Sequence, residues 1–183
     1  MLNLRVAPLL LVAMTFAAPA LAQAQTPPSP TETLATDDAA IAAARREAPG
    51  AGAPNAALAR LLTERGNALL KLKRYDEAMT SFSEAATLST NPAIAWFNLC
   101  ATAYNMGKTD EAVRACDRAI AIDPTRADAW FVKGSALYGQ GTLDKANHYV
   151  LPPGTLEALR QYLILAPDGP HAADVKAMLD AAK

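Results

Sequence analysis

The sequence predicts an all-α solenoid of three stacked helical hairpins closed by a C-terminal helix, and three observations carry that prediction. The first is a repeat of 34 residues. Laying 93–126 over 59–92 and over the chain from 127 puts Leu62, Trp96 and Trp130 in one column and Gly66, Cys100 and Gly134 in another. Ala78 falls on Ala112 and Ala85 on Ala119, while Asp76-Glu77-Ala78 returns as Asp110-Glu111-Ala112. A period of that length suits a helical hairpin that cannot bury its apolar face alone and must stack on its neighbours. The second observation is apolar spacing: Leu61, Leu62, Ala68, Leu69 and Leu72, then Ala78, Phe82, Ala85 and Leu88, recur at three- and four-residue steps. The third is composition. With 51 % apolar but only 6 % aromatic residues in 183, the chain suits one Ala-rich helical domain.

Arg5, the apolar stretch from Val6 to Ala18 and the small residues of Ala20-Leu21-Ala22 read as a signal peptide over 1–22, cleaved after Ala22. Cleavage after Ala24 is the near alternative. The stretch is shorter than the ~20 residues of a spanning helix, and Pro8 and Pro19 flank it, which disfavours a membrane anchor. Removing 1–22 takes away Arg5 and no acid, so 17 basic residues become 16 against 18 acidic ones, a formal charge of −2. That balance argues against a nucleic-acid partner. The first cysteine is Cys100, so no lipid is attached at a mature N-terminal Cys. The expected mature protein is soluble, periplasmic or secreted, with no membrane span.

Residues 23–58 read as a flexible linker. Gln, Thr, Pro and Ser dominate from Gln23 to Thr36, a composition expected to stay disordered. One short helix, Asp37 to Glu47 with Thr36 or Asp37 as its cap, is predicted before Pro49-Gly50-Ala51-Gly52-Ala53-Pro54 breaks the chain. The repeats occupy 59–92, 93–126 and 127–168. The turn of the first is Lys73-Arg74-Tyr75-Asp76 and that of the second Gly107-Lys108-Thr109-Asp110. Gly107 suits the left-handed end of a helix, and Asp76 and Asp110 are candidate N-caps.

The third repeat is interrupted over 142–154. Paired prolines at Pro152-Pro153 cannot lie inside a helix, and counting back from Pro167 shows nine extra residues, so the second helix should start near Thr155. Thr142-Leu143-Asp144 and His148-Tyr149-Val150 flank Lys145-Ala146-Asn147, a pattern for a small β-hairpin that leans on the solenoid through Tyr149 and Val150. From 169 to 182, Ala173, Val175, Met178 and Leu179 alternate with Asp174, Lys176 and Asp180, an end helix with Pro170 at its first position and Asp168 or Gly169 as cap.

Trp96, Leu99, Cys100, Ala112, Ala119 and Pro124 give the middle repeat the pattern of the tetratricopeptide repeat (TPR) family, which the chain resembles over about 59–182. The resemblance implies a right-handed solenoid whose ligand, a protein or peptide, lies on the concave face built by the first helices. The inward positions are then Arg60, Thr63, Asn67, Leu70 and Lys71; Ile94, Phe97, Ala101, Tyr104 and Asn105; and Asp128, Phe131, Ser135 and Tyr138. Phe97, Tyr104, Phe131 and Tyr138 form the expected contact stripe, with Asn67, Lys71 and Asn105 beside it. Phe97 and Phe131 can equally be packing residues between hairpins. Some family members clamp a partner's C-terminal carboxylate with cations and asparagines. Here Asn67 and Asn98 match, but Thr63, Asp128 and Val132 stand where cations belong, so no such clamp is expected.

Cys100 and Cys116 face the seam of the middle hairpin, and an exported chain with an even cysteine count is expected to join them. Two buried thiols are the alternative. His148 and His171, the only histidines, have no partners for a metal site. Gly139-Gln140-Gly141 lacks the Lys-Ser or Lys-Thr of a phosphate loop, and Gly134-Ser135-Ala136 lacks the elbow of a hydrolase. Neither cofactor nor catalysis is expected. The sequence reads as a protein-binding adaptor, with a structural role through homo-oligomer formation as the second class.

Overall fold

The computed structural model describes residues 27–47, 55–146 and 149–182. The expected signal peptide and its expected cleavage site, with Asn147 and His148, lie outside the described residues. Eight helices occur among the described residues: α1 Pro30–Glu47, α2 Ala56–Lys71, α3 Tyr75–Leu88, α4 Ala93–Asn105, α5 Thr109–Ile122, α6 Ala127–Tyr138, α7 Thr155–Leu165 and α8 Ala172–Ala181. None of them is long and apolar enough to cross a membrane. Three hairpins, α2/α3, α4/α5 and α6/α7, stack in order, each helix packing on its sequence neighbours.

One crossing repeats inside every hairpin. Gly66 lies so close to Phe82 that a Cβ there would overlap the ring, and Gly134 stands likewise against Leu159. In the middle hairpin the equivalent pair is Cys100 and Cys116, joined in a disulfide with a Cα–Cα distance of 5.1 Å. Around these crossings Leu69, Ala78, Phe82, Ala103 and Ala112 are wholly buried, and each large aliphatic or aromatic side chain so buried stabilises the fold by roughly 1.5–3 kcal/mol.

The turns of the first two hairpins share a Schellman geometry. Arg74 N–H donates to the Leu69 carbonyl and Lys73 N–H to that of Leu70; Lys108 and Gly107 repeat this with Ala103 and Tyr104. Position for position, Lys73 (φ 59°) and Gly107 (φ 71°) take the left-handed conformation. The next helices begin directly afterwards, with Arg74 and Lys108 at the N-cap and no side-chain cap bond. Asp76 and Asp110 are therefore not caps. They lie in the first turns of α3 and α5, where carboxylates complement the helix dipole. Their carboxylates reach the following repeat instead: Lys108 Nζ stands 2.6 Å from Asp76, and Gln140 Nε2 donates to Asp110 at 2.8 Å.

The N-terminal segment differs from the linker expected there. Helix α1 begins at Pro30, well before Asp37, because Ser29 and Glu32 form a reciprocal capping box. Ser29 N–H donates to the Glu32 carboxylate at 2.8 Å and Glu32 N–H donates to Ser29 Oγ at 3.2 Å, with Pro30 as the first helical residue. Two backbone and hydroxyl donors from Ser29 hold the Glu32 carboxyl below the usual carboxylate range. Leu34 and Ile41 are buried, the first with Leu69 and Met79, the second with Leu58 and Leu62. Helix α1 thus serves as an N-terminal cap on the first hairpin, the counterpart of α8 at the far end.

The interruption carries strands β1 (Thr142–Leu143) and β2 (Tyr149–Val150), paired antiparallel with Thr142 opposite Val150 and Leu143 opposite Tyr149. Of the two expected anchors, Tyr149 leans on the solenoid: its hydroxyl donates to the Tyr138 carbonyl at 2.7 Å, and the two rings stand tilted with centroids 5.6 Å apart. Val150 is half exposed. At the C-terminus the chain turns through 167–171 before α8 starts at Ala172. Pro170 therefore lies in the turn rather than in the helix, and neither Asp168 nor Gly169 is the cap residue, which is His171.

Candidate functional site

The inward positions of α2, α4 and α6 do not present one uniform stripe of free rings. Asn67, Lys71 and Asn105 are exposed, and Tyr104, at 37 % exposure, is the ring most open to solvent among the four. Phe97 is half buried, and the Arg126 guanidinium lies 5.3 Å from its centroid. Phe131 is covered by the cap. The His171 ring stacks on it at 3.8 Å with an interplanar angle of 2°, and Tyr162 tilts against it at 5.5 Å. His171 N–H donates to the Tyr162 hydroxyl, which fixes that arrangement. Tyr138 is engaged by Tyr149 of the insertion.

Open space on the inner face lies instead near the start of α2 and α4. A depression of about 220 Å³ is walled by Ala59, Arg60, Thr63, Ala95 and Ile94, the last 56 % exposed. Arg60, Thr63 and Ile94 are inward positions of the repeat, and selecting by aromatic rings alone overlooks them. Asn55 sets this edge: its side chain accepts from Leu58 N–H at 3.0 Å and starts α2. Along the outer side, a shallow depression of about 520 Å³ between α3 and α5 is rimmed by Asp76, Glu84, Glu111 and Lys108 over Met79 and Leu99.

Two polar atoms beside the groove, Arg126 Nε and Ser135 Oγ, are buried without a hydrogen-bond partner. Arg126 also stands 3.5 Å from Asp123, whose carboxyl is held below its usual range by the Thr125 hydroxyl. Among the described residues no group of His, Cys, Asp and Glu could hold a metal ion. The surface so assembled offers an aliphatic depression, one open ring and amide and ammonium groups, which is the equipment for binding a chain segment.

Residues 59–92 and 93–126 each match a family model described as the tetratricopeptide repeat. Residues 59–126 are thus two repeats of the TPR family. The matches stop at 126, where the repeat carrying the insertion begins. No curated protein matches the chain. Among solved structures, MamA superposes with a TM-score of 0.63 at 18 % identity, covering 84 % of this chain and 82 % of that one. The first TPR of Spaghetti (RPAP3), bound to the HSP90 peptide SRMEEVD, gives 0.60 at 20 % identity, covering 72 % and 98 %. YrrB, titled a TPR protein with an unusual peptide-binding site, gives 0.56 at 24 % identity, covering 80 % and 68 %.

Proposed function

We propose that this TPR protein is a non-catalytic adaptor, exported to the periplasm or beyond the cell, that holds a protein or peptide segment on its concave face. The observation that carries the reading is the inner surface of α2 and α4, where a depression at Arg60, Thr63 and Ile94 and the exposed Tyr104 and Asn105 all fall on inward positions of the repeat. Peptide binding in RPAP3 and YrrB supports it by analogy. Export is supported by Arg5, the apolar stretch to Ala18 and the Ala20-Leu21-Ala22 signal, and a disulfide suits an oxidising compartment.

Selection of a random heptapeptide display library on the chain from Gln23 onward tests the binding reading. Enriched peptides should lose capture by Tyr104→Ala and by Ile94→Asp while both variants melt near wild type, since neither side chain is in the core. Absence of enrichment, or undiminished capture by both variants, refutes a groove ligand. Mass spectrometry of the native protein should find Gln23 at the N-terminus; an intact Met1, or extraction only by detergent, refutes export of a soluble form.

A further inference from the structure

The interface between α1 and α2 contains a buried carboxyl oxygen with no hydrogen-bond partner. Asp37 is 7 % exposed, and its Oδ2 is buried without a hydrogen bond. Every cation that faces it is committed elsewhere. On α2, Arg65 gives Nε to Asp38 at 2.6 Å and Nη1 to Ser81 at 2.7 Å, while Arg60 pairs with Glu64 at 2.5 Å. On α3, Glu84 takes Arg45 of α1 at 2.6 Å and Glu77 takes Arg74 at 2.6 Å. The surrounding apolar contacts are those of Leu34 and Ile41 with the first hairpin.

We propose that α1 is an acid-strengthened cap, docked on α2 most firmly when Asp37 is protonated and loosened when that carboxyl is charged. A carboxylate removed from water without a compensating donor is costly, whereas a neutral carboxyl is much less so. Burial accordingly pushes Asp37 up from its ordinary value, the Glu64 and Asp38 carboxylates add to the rise, and Arg60 and Arg65 oppose it. A docked-state pKa above the undocked one means that docking takes up a proton. Docking therefore strengthens as pH falls from the docked-state value toward the ordinary carboxylate value, and the weakening is complete above the docked-state value. Glu32 sets a lower limit with the opposite sign. Its depressed pKa makes the capping box a stabilising contribution above its ordinary value, lost as pH falls through the folded one. Firmest docking therefore falls near the ordinary carboxylate values of the two groups. Loosening would uncover Leu58 and Leu69 on α2, an apolar surface beside the groove of the first hairpin.

Hydrogen exchange of the chain from Gln23 onward, followed by mass spectrometry from about pH 3.5 to 8 and normalised to intrinsic rates, tests this. Protection of 30–47 should fall relative to α4 and α5 as pH rises, about tenfold for each pKa unit separating docked and undocked Asp37. Asp37→Asn should flatten that profile and raise protection at neutral pH. Asp37→Leu, which also removes the charge, provides the same readout if Asn perturbs the site. A flat profile in the wild type, or an unchanged slope in the folded variants, overturns the proposal.

Discussion

The first and middle hairpins solve the same crossing in two ways. In the first, Gly66 yields space and the Phe82 ring fills it, so the contact is held by volume complementarity and burial. In the middle, Cys100 and Cys116 meet at that crossing and a covalent bond replaces the ring. Both solutions bring two helix backbones close, and Phe82, Cys100 and Cys116 are all fully buried. The difference lies in where the stabilisation acts. Burying Phe82 lowers the free energy of the folded state. The disulfide in the chain-entropy account acts mainly on the unfolded ensemble, and only while the bond is oxidised.

The largest expected effect comes from breaking the noncovalent version. Phe82→Ala should cost about 3–5 kcal/mol, because the ring is wholly buried and Gly66 opposite offers nothing to refill the cavity. Chemical denaturation with and without reductant checks it; the increment should be the same in both conditions, and a loss below about 1 kcal/mol would show that the seam collapses around the gap.

Next comes the covalent version. Cys100→Ala/Cys116→Ser should cost roughly 3 kcal/mol, the chain-entropy value for a closed loop of this size, and the wild type should give no alkylatable thiol without reductant. Cys100→Gly/Cys116→Phe sharpens the comparison by transplanting the first seam into the middle repeat. If the two crossings are interchangeable, that variant recovers stability relative to Cys100→Ala/Cys116→Ser and no longer responds to reductant. If it is the less stable of the two, the middle hairpin lacks the room that the first provides.

Which parts of this were legible in the sequence follows from the range of the interactions involved. The columns of Gly66, Cys100 and Gly134 and of Leu62, Trp96 and Trp130 report helix crossings repeated every 34 residues, so three hairpins could be read directly. Paired prolines likewise marked the interruption. The helix expected over Asp37 to Glu47 is the C-terminal part of α1, but its start at Pro30 and its docking on the first hairpin go unread because two buried side chains, Leu34 and Ile41, are a thin apolar signal among Ala, Thr and Asp. Ser29-Pro30-Thr31-Glu32 was nevertheless a readable start signal. The condition of the groove rings was not readable: Phe131 is covered by His171 and Tyr138 by Tyr149, contacts set by how the cap and the insertion fold back. Asp76 and Asp110 followed the same logic, since their partners lie in the next repeat.

The smallest effect contrasts the turns of the same two hairpins. Lys73 and Gly107 occupy equivalent left-handed positions, but a side chain there carries a steric penalty that glycine avoids. Gly107→Ala should cost about 1–2 kcal/mol from backbone conformation alone, because a Cβ at 107 meets nothing within 4 Å. Lys73→Gly works in the other direction. It relieves a penalty of similar size, and the greater freedom of glycine in the unfolded chain, roughly 0.5–1 kcal/mol, takes back much of that gain. The net should be a stabilisation of less than about 1 kcal/mol, read as a rise in the denaturant midpoint at unchanged slope. A fall in midpoint would mean that the Lys73 side chain contributes a contact outweighing its backbone cost, and the two turns would then be equivalent in shape but not in what holds them.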